Sequence, residues 1–281
     1  MLIAIQGERG AYSEAAALEH FGPNTEILPN ETFDNAFAAV QSGRADMGLL
    51  PIENSLAGSI HRCYDLLLQH TLSIVGEHHL RVRHCLIGRP GVTVGDIRRV
   101  ISHPQALAQC DRFLKALPGV TTSVVYDTAG SVKMVKEGGD RTVAGIASRR
   151  AAEVYGMEVL AEGIEDDPAN FTRFLAIALA PIVPTGAAKT SIVFAMRNVP
   201  WALFKAMSVF ALRDIDLTKI ESRPLVGKVW EYLFYVDLVG STAEPNVRRA
   251  LENLGEYTSL LRVLGSYPRH PLVISAADLA A

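Results

Sequence analysis

The chain has 281 residues, of which 49% are hydrophobic and 20% charged, and its formal charge is −3 at pH 7. Such a length and composition exclude a disordered chain and leave room for two domains with a large core. The near-balanced charge, without any block of Lys or Arg, argues against nucleic acid as a partner, and the short, Pro-interrupted apolar runs argue against a membrane span.

In chain order, LIAIQG from Leu2 predicts a strand and SEAAALEHFG a helix closed by Gly22. Met1 leads straight into that strand with no signal-peptide pattern. Cys63, Cys85 and Cys110 are odd in number and unevenly spaced, so neither a disulfide framework nor a zinc site is suggested. Together these features set the expectation of a reduced, cytoplasmic protein. MGLLPIE predicts a strand, SIHRCYDLLLQ a helix, LSIVGEHHLRVRHCLIG long strand material, RRVISH a strand and PQALAQCDRFLKAL a helix. TTSVVYD, SVKMVKEG, VAGIA and SRRAAEVYG continue the alternation, which implies an α/β domain with a mostly parallel sheet covered by helices. Its length suits two lobes around a cleft.

APIVPTGAAK then interrupts the pattern as a linker would. Beyond it come strand TSIVFAM, helix PWALFKAMSVFALRD, strands LTKIESR and VWEYLFYVDLVG, helix EPNVRRALENLG and strand SLLRVLGSYP. This is βαββαβ, the ferredoxin-like order. Pro200 sits where helices start, and Leu203, Phe204, Met207, Phe210 and Ala211 predict one apolar stripe for the sheet. Two domains are therefore expected, at residues 1–182 and 190–267.

Four strand ends of the first domain run into a small polar or Gly-containing turn before a helix: GERGAYSEAAA, ENSLAGSIHR, YDTAGSVKMV and GIASRRAAE. Unpaired N–H groups and a partial positive charge at such ends suit carboxylate or phosphate. Ser13, Ser55, Ser59, Ser131 and Ser148 can serve there as caps or as hydroxyl donors to a ligand. Neither a P-loop nor a dinucleotide fingerprint is present, so a carboxylic acid is expected rather than a nucleotide. Glu53 and Asn54 end a strand and read equally as a turn or a site; His103, before Pro104, reads as a proton donor or a helix-entry residue. His78 and His79 lack metal-ligand spacing, and no metal is expected. In NFTRF, Thr172 and Arg173 lie between Phe171 and Phe174, which fits an ordinary strand or a site where a small anion loses a group.

Taken together, GERGAYSE, LPIENSLAGSIH, SHPQALAQC, NFTRF and LTKIESRP resemble the prephenate dehydratase family, including its arogenate dehydratase relatives, over Leu2 to about Tyr267. Five motifs in one order are far more specific than any one of them. The resemblance implies a catalytic domain of two α/β lobes like those of periplasmic binding proteins, followed by an ACT domain that binds phenylalanine. It also implies that Thr172 is needed for activity, with Arg173 and Phe174 beside it and with Asn54, Ser55, Ser102 and Gln109 in the same site. Ser13 and Ser148, at helix starts, complete the expected set. The implied reaction is loss of the ring hydroxyl as water and of the ring carboxylate as CO2, without a cofactor. It gives phenylpyruvate from prephenate or phenylalanine from arogenate; the family's prevalence makes prephenate the expected substrate.

These residue types suit that chemistry. Arg173 can pair with a carboxylate bidentately, and helix N-termini can take another. A threonine hydroxyl is too weak an acid to be the proton source. Thr172 is therefore expected to donate a hydrogen bond to the leaving oxygen, while the proton comes from Glu53 with a pKa raised by burial, from His103 or from water. In the second domain ESRP is intact as Glu221, Ser222, Arg223 and Pro224. With Ala202 and Leu203 of the preceding turn it is the effector site the resemblance implies. That turn reads Pro200-Trp201-Ala202-Leu203, where the family often has Pro-Gly-Ala-Leu. A homodimer or homotetramer, monofunctional because the motifs begin at Gly7, is expected; the competing class is a non-catalytic cytosolic amino-acid sensor.

Overall fold

The computed structural model describes residues 1–196, 198–225 and 231–271. The chain opens with β1 (Leu2–Gln6), α1 (Tyr12–Phe21), β2 (Glu26–Asn30), α2 (Phe33–Gln41), β3 (Met47–Asn54), β4 (Gly58–Ser59), α3 (His61–Gln69) and β5 (Ser73–Arg81). It continues with β6 (Cys85–Gly88), β7 (Arg99–Ser102), α4 (Pro104–Gln109), α5 (Asp111–Lys115), β8 (Thr121–Val124), α6 (Thr128–Gly138), β9 (Val143–Ala147), α7 (Arg149–Tyr155) and β10 (Glu158–Glu162). After β11 (Phe171–Ala178) come β12 (Ala188–Met196), α8 (Ala202–Ala211), β13 (Leu217–Pro224), β14 (Tyr232–Val239), α9 (Pro245–Tyr257) and β15 (Leu260–Pro268). Two compact units result, one of Met1–Tyr64 and His78–Phe174, the other of Asp65–Glu77 and Leu175–Pro271.

The first unit carries two sheets. One runs β2-β1-β3-β11-β5 with β4 beside β3; the other runs β10-β6-β9-β7-β8. β1 is parallel to β2 and β3, and β7 to β8 and β9, as βα alternation requires. The sheets are mixed rather than mostly parallel, because β6 enters antiparallel between β9 and β10. The stretch LSIVGEHHLRVRHCLIG is accordingly two strands in two sheets, and Val82, Arg83 and His84 form the crossing. The return crossing, 163–170, runs alongside it: Val82 donates its N–H to Asn170 O at 2.8 Å, and Gly163 donates to His84 O at 3.0 Å. The helix expected over PQALAQCDRFLKAL is broken at Cys110 into α4 and α5.

Local chemistry fixes the helix starts on which the site depends. Asp127 caps α6 by accepting from Gly130 N, and Ser148 caps α7 by accepting from Ala151 N. Gly10, at φ +87°, lets the chain enter α1 against α7: a Cβ there would lie 2.7 Å from Ala151 Cα. Ile3, Ala4, Ile5, Leu49 and Ile52 bury the first sheet, and Leu86, Val100, Ala144 and Ile146 the second.

In the second unit β12–β15 form an antiparallel sheet ordered β13-β14-β12-β15 with the βαββαβ connectivity expected. The stripe on α8 is rotated from expectation. Ala206, Val209 and Phe210 are buried, with Ala202 and Met207 against them, whereas Leu203 is 41% and Phe204 68% exposed. The small Ala206 lets the helix approach the sheet closely, which the larger residues favoured by hydrophobicity alone would prevent. Pro200 precedes the helix rather than opening it, and Trp201 is the N-cap at φ +68°, a conformation that favours glycine.

Candidate active site

A cavity of about 400 Å³ opens in the first unit where strands of both sheets end and helices begin. Ala11, Tyr12 and Ser13 reach it from the start of α1, and Asp127 and Thr128 from the start of α6. His103 and Gln105 enter from α4, Asn54 from the end of β3, Thr172 and Phe174 from β11, and His84 from the crossing. No Lys or Arg lines it among the described residues. Positive potential comes instead from helix ends, and α1 is the one with no side-chain cap, since its N-cap is Ala11.

A directed chain of side-chain hydrogen bonds runs along one wall. Asn54 Oδ1 accepts from Leu56 N at 3.1 Å and Ala57 N at 2.9 Å, so its amide nitrogen must face the other way. That nitrogen donates to Asn170 Oδ1 at 2.8 Å, to Phe171 O at 3.2 Å and to Thr172 Oγ1 at 3.0 Å. Asn170 Nδ2 then donates to Gln109 Oε1 at 3.0 Å, which makes that oxygen an acceptor. His84 Nε2, 2.9 Å from the same oxygen, therefore carries a hydrogen, and His84 Nδ1 lies 2.8 Å from Tyr12 Oη. Backbone amides at 56 and 57 thus fix a ring tautomer several side chains away.

Burial lowers the pKa of His84, opposed by the Gln109 hydrogen bond and the charge of Glu165. Glu165 accepts from His84 N at 2.8 Å. Burial raises Tyr12 well above the usual phenol value, helped by Cys85, Cys110 and Glu165, so its hydroxyl stays protonated. Burial pushes the Cys85 thiol up to about 12 and raises that of Cys110 as well, which keeps both neutral and inert.

Of the residues singled out from sequence, Thr172, Asn54, Gln109, Ser13, Phe174 and His103 meet at this cavity. Others do not line it. Arg173 falls between Thr172 and Phe174, and the two-residue period of β11 turns it to the opposite face. Glu53 pairs with Ser59 across β3 and β4. Ser55 Oγ donates to Ala169 O at 2.7 Å and accepts from Phe171 N at 2.9 Å, pinning the start of β11. Ser102 is fully buried and donates to Ile146 O, while Ser148 caps α7 and donates to Gly10 O. Sequence reasoning passed over Tyr12, His84 and Asn170. Tyr12 and Asn170 lay inside quoted motifs, but His84 carried no signal beyond its neighbours His78 and His79.

In the second unit Ala202 and Leu203 line a separate cavity of about 410 Å³ with Trp201, Phe204, Tyr232 and Phe234. Glu221, Ser222, Arg223 and Pro224 are not among its lining residues; Arg223 lies 3.5 Å from Asp65.

The model of the prephenate dehydratase family matches residues 3–181. The chain belongs to the prephenate dehydratase family. An arogenate dehydratase/prephenate dehydratase 2 of Arabidopsis thaliana, chloroplastic, is 52% identical over 95% of this chain and 72% of its own. A prephenate dehydratase from Arthrobacter aurescens, solved with L-Phe, is 31% identical with a TM-score of 0.88 over 99% of this chain and 94% of that one. GqqA, described as a novel type of quorum quenching acylase, is 39% identical with a TM-score of 0.90 over 96% of this chain and 99% of that one. The cytoplasmic location expected from the opening residues does not stand, because Arabidopsis relatives at 50–52% identity are chloroplastic.

Proposed function

We propose that this chain is a dehydratase that converts prephenate to phenylpyruvate, or arogenate to phenylalanine, in phenylalanine biosynthesis. The observation that carries the reading is Thr172 at the cavity wall. Its oxygen accepts from Asn54 Nδ2 at 3.0 Å, so its own hydrogen is turned away from Asn54 and available to a leaving oxygen. The start of α1, without a side-chain cap, holds a substrate carboxylate, a role not given to Arg173, which is buried outside the cavity lining. The reaction consumes one proton, expels water and CO2, and changes no oxidation state that a cofactor must balance. Aromatisation drives it, so positioning is the main task of the protein.

The same reading assigns catalysis to residues 1–182 and an ACT domain to 190–267, with phenylalanine as effector at the Pro200–Leu203 turn and a homo-oligomer as the working form. The ferredoxin-like sheet and the cavity around Ala202 and Leu203 support it. Such control requires phenylalanine to bind two arrangements unequally, by about 1 to 3 kcal/mol.

A second reading comes from the acylase neighbour, since amide hydrolysis needs a nucleophile paired with a base. Thr172 takes its hydrogen bond from an amide, not a base, which favours the dehydratase. The deciding assay is turnover of prephenate, arogenate and an N-acyl amide side by side, with and without phenylalanine. Turnover of either cyclohexadiene acid is expected, with Thr172→Ser retaining much of it and Thr172→Ala losing about 100-fold or more. Amide hydrolysis alone would sink the dehydratase reading.

A further inference from the structure

The dehydratase reading of the site, on which this inference rests, requires one proton for the departing hydroxyl. The ionisable groups on the cavity wall are Tyr12, His84, His103, Tyr126 and Asp127. Asp127 Oδ2 accepts from Gly130 N at the start of α6, Tyr126 Oη lies 3.2 Å from Glu8 Oε1, and His103 Nδ1 accepts from Gln105 N. Tyr12 and His84 form the remaining pair, and their geometry leaves one hydrogen to be placed. Tyr12 Oη lies 2.8 Å from His84 Nδ1 and 2.9 Å from Arg83 O, yet it owns one hydrogen. With a neutral imidazole, whose hydrogen sits on Nε2, one of the two acceptors goes without. With an imidazolium, Nδ1–H donates to Tyr12 and every contact is satisfied.

We propose that Tyr12 hands its proton to the leaving hydroxyl and is reprotonated by His84 through Nδ1. With Nδ1–H of the imidazolium holding the Tyr12 oxygen, the Tyr12 O–H turns from Arg83 O to the departing oxygen and passes to it as the ring C–O bond breaks. The pair from the ring–carboxylate C–C bond completes the aromatic ring, and CO2 leaves. His84 Nδ1–H moves to Tyr12, and a solvent proton restores the imidazolium. One proton enters, and water and CO2 depart. The groups around His84 suit a ring poised between states: Tyr12 from α1, Gln109 from the end of α4, Glu165 from the return crossing, and Arg83 and Cys85 beside it in the chain. Burial disfavours the cation, Glu165 favours it, and the carboxylates of a bound substrate add to that preference.

The test joins kinetics to 15N NMR of histidine-labelled, full-length protein. Neutral His84 is expected as the Nε2–H tautomer. The rate kcat should fall with rising pH through one ionisation lying above that of His84 in the free protein. Tyr12→Phe should lower kcat about 100-fold or more, change KM less than about threefold and abolish that alkaline limb. His84→Gln should do the same; should it not fold, the tautomer and the Tyr12→Phe profile decide. The proposal is overturned by an Nδ1–H tautomer, or by a Tyr12→Phe enzyme that keeps its kcat or its alkaline limb. Wild-type protein inert toward prephenate and arogenate overturns the dehydratase reading as well; active wild type with unaffected Tyr12→Phe overturns this step alone.

Discussion

At the residue scale the site depends on which end of an amide points where. Asn54 is 8% exposed and gives both hydrogens of its nitrogen to oxygens, those of Asn170, Phe171 and Thr172. Asn54→Asp keeps the shape and replaces that donor with an acceptor. Its oxygen then faces carbonyl oxygens, and the Thr172 hydrogen turns from the cavity toward the new carboxylate. Near neutral pH we expect kcat to fall about 100-fold and stability by about 1–3 kcal/mol. Buried and faced by the oxygens of Asn170 and Phe171, with the Thr172 hydroxyl its one donor on that side, the introduced carboxyl is expected to have a raised folded-state pKa. The stability deficit should therefore be smallest in acid and grow as pH rises through that pKa. Urea unfolding at several pH values reads this; a deficit independent of pH would remove the donor argument. Much of this wall was legible, because Asn54, Gln109 and Thr172 lie in motifs. Arg173 was misplaced because adjacency in sequence is opposition in a strand, and Ser102 and Ser148 because a buried hydroxyl is as useful to the backbone as to a ligand.

Elements follow from local sequence where caps are strong, as with Asp127 before α6 and Ser148 before α7. They escape it where the cause is remote. Nothing in LSIVGEHHLRVRHCLIG marks the change of sheet, since both halves are largely buried and read as one length of strand material. The start of α1 is remote in the same sense, held by α7. Ser148 Oγ donates to Gly10 O at 2.7 Å, Gly10 N donates to Glu14 Oε2 at 2.7 Å, and Arg150 reaches Glu14 Oε1 at 3.1 Å. Gly10→Ala must place a Cβ 2.7 Å from backbone of α7 while keeping φ near +87°. The left-handed conformation alone costs about 1–2 kcal/mol, and the clash adds to it. Thermal unfolding should register a loss of at least that size, with KM raised because the uncapped helix end moves out of the cavity. A silent Gly10→Ala would show that α1 does not need α7 to hold its place.

At the scale of the whole molecule, the chain does not finish one unit before starting the next. Residues 65–77 belong with the ferredoxin-like sheet, so β5 and β11 each begin in one unit and end in the other. A linker reading could not find this, since composition marks where a chain pauses and not where it returns. The return is fastened by charge. Glu77 on β5 has a side chain wholly out of solvent, lies 3.0 Å from Lys189 Nζ on β12, and accepts from His270 N at 3.1 Å. Such a pair is weak evidence of net stabilisation, because desolvation offsets attraction, but removing the cation takes its charge compensation from a carboxylate that is out of solvent. Lys189→Met should therefore cost about 3–5 kcal/mol, whereas Lys189→Met combined with Glu77→Gln should recover most of it. The coupling energy from a urea-unfolding double-mutant cycle decides the matter. A double mutant that costs much less than the sum of the singles means that the segment 65–77 is held in the second unit by this pair. Additive single costs would mean that packing holds the segment, such as the close approach of Gly265 to the Ile74 backbone, and that the ion pair is a passenger in a fold already determined.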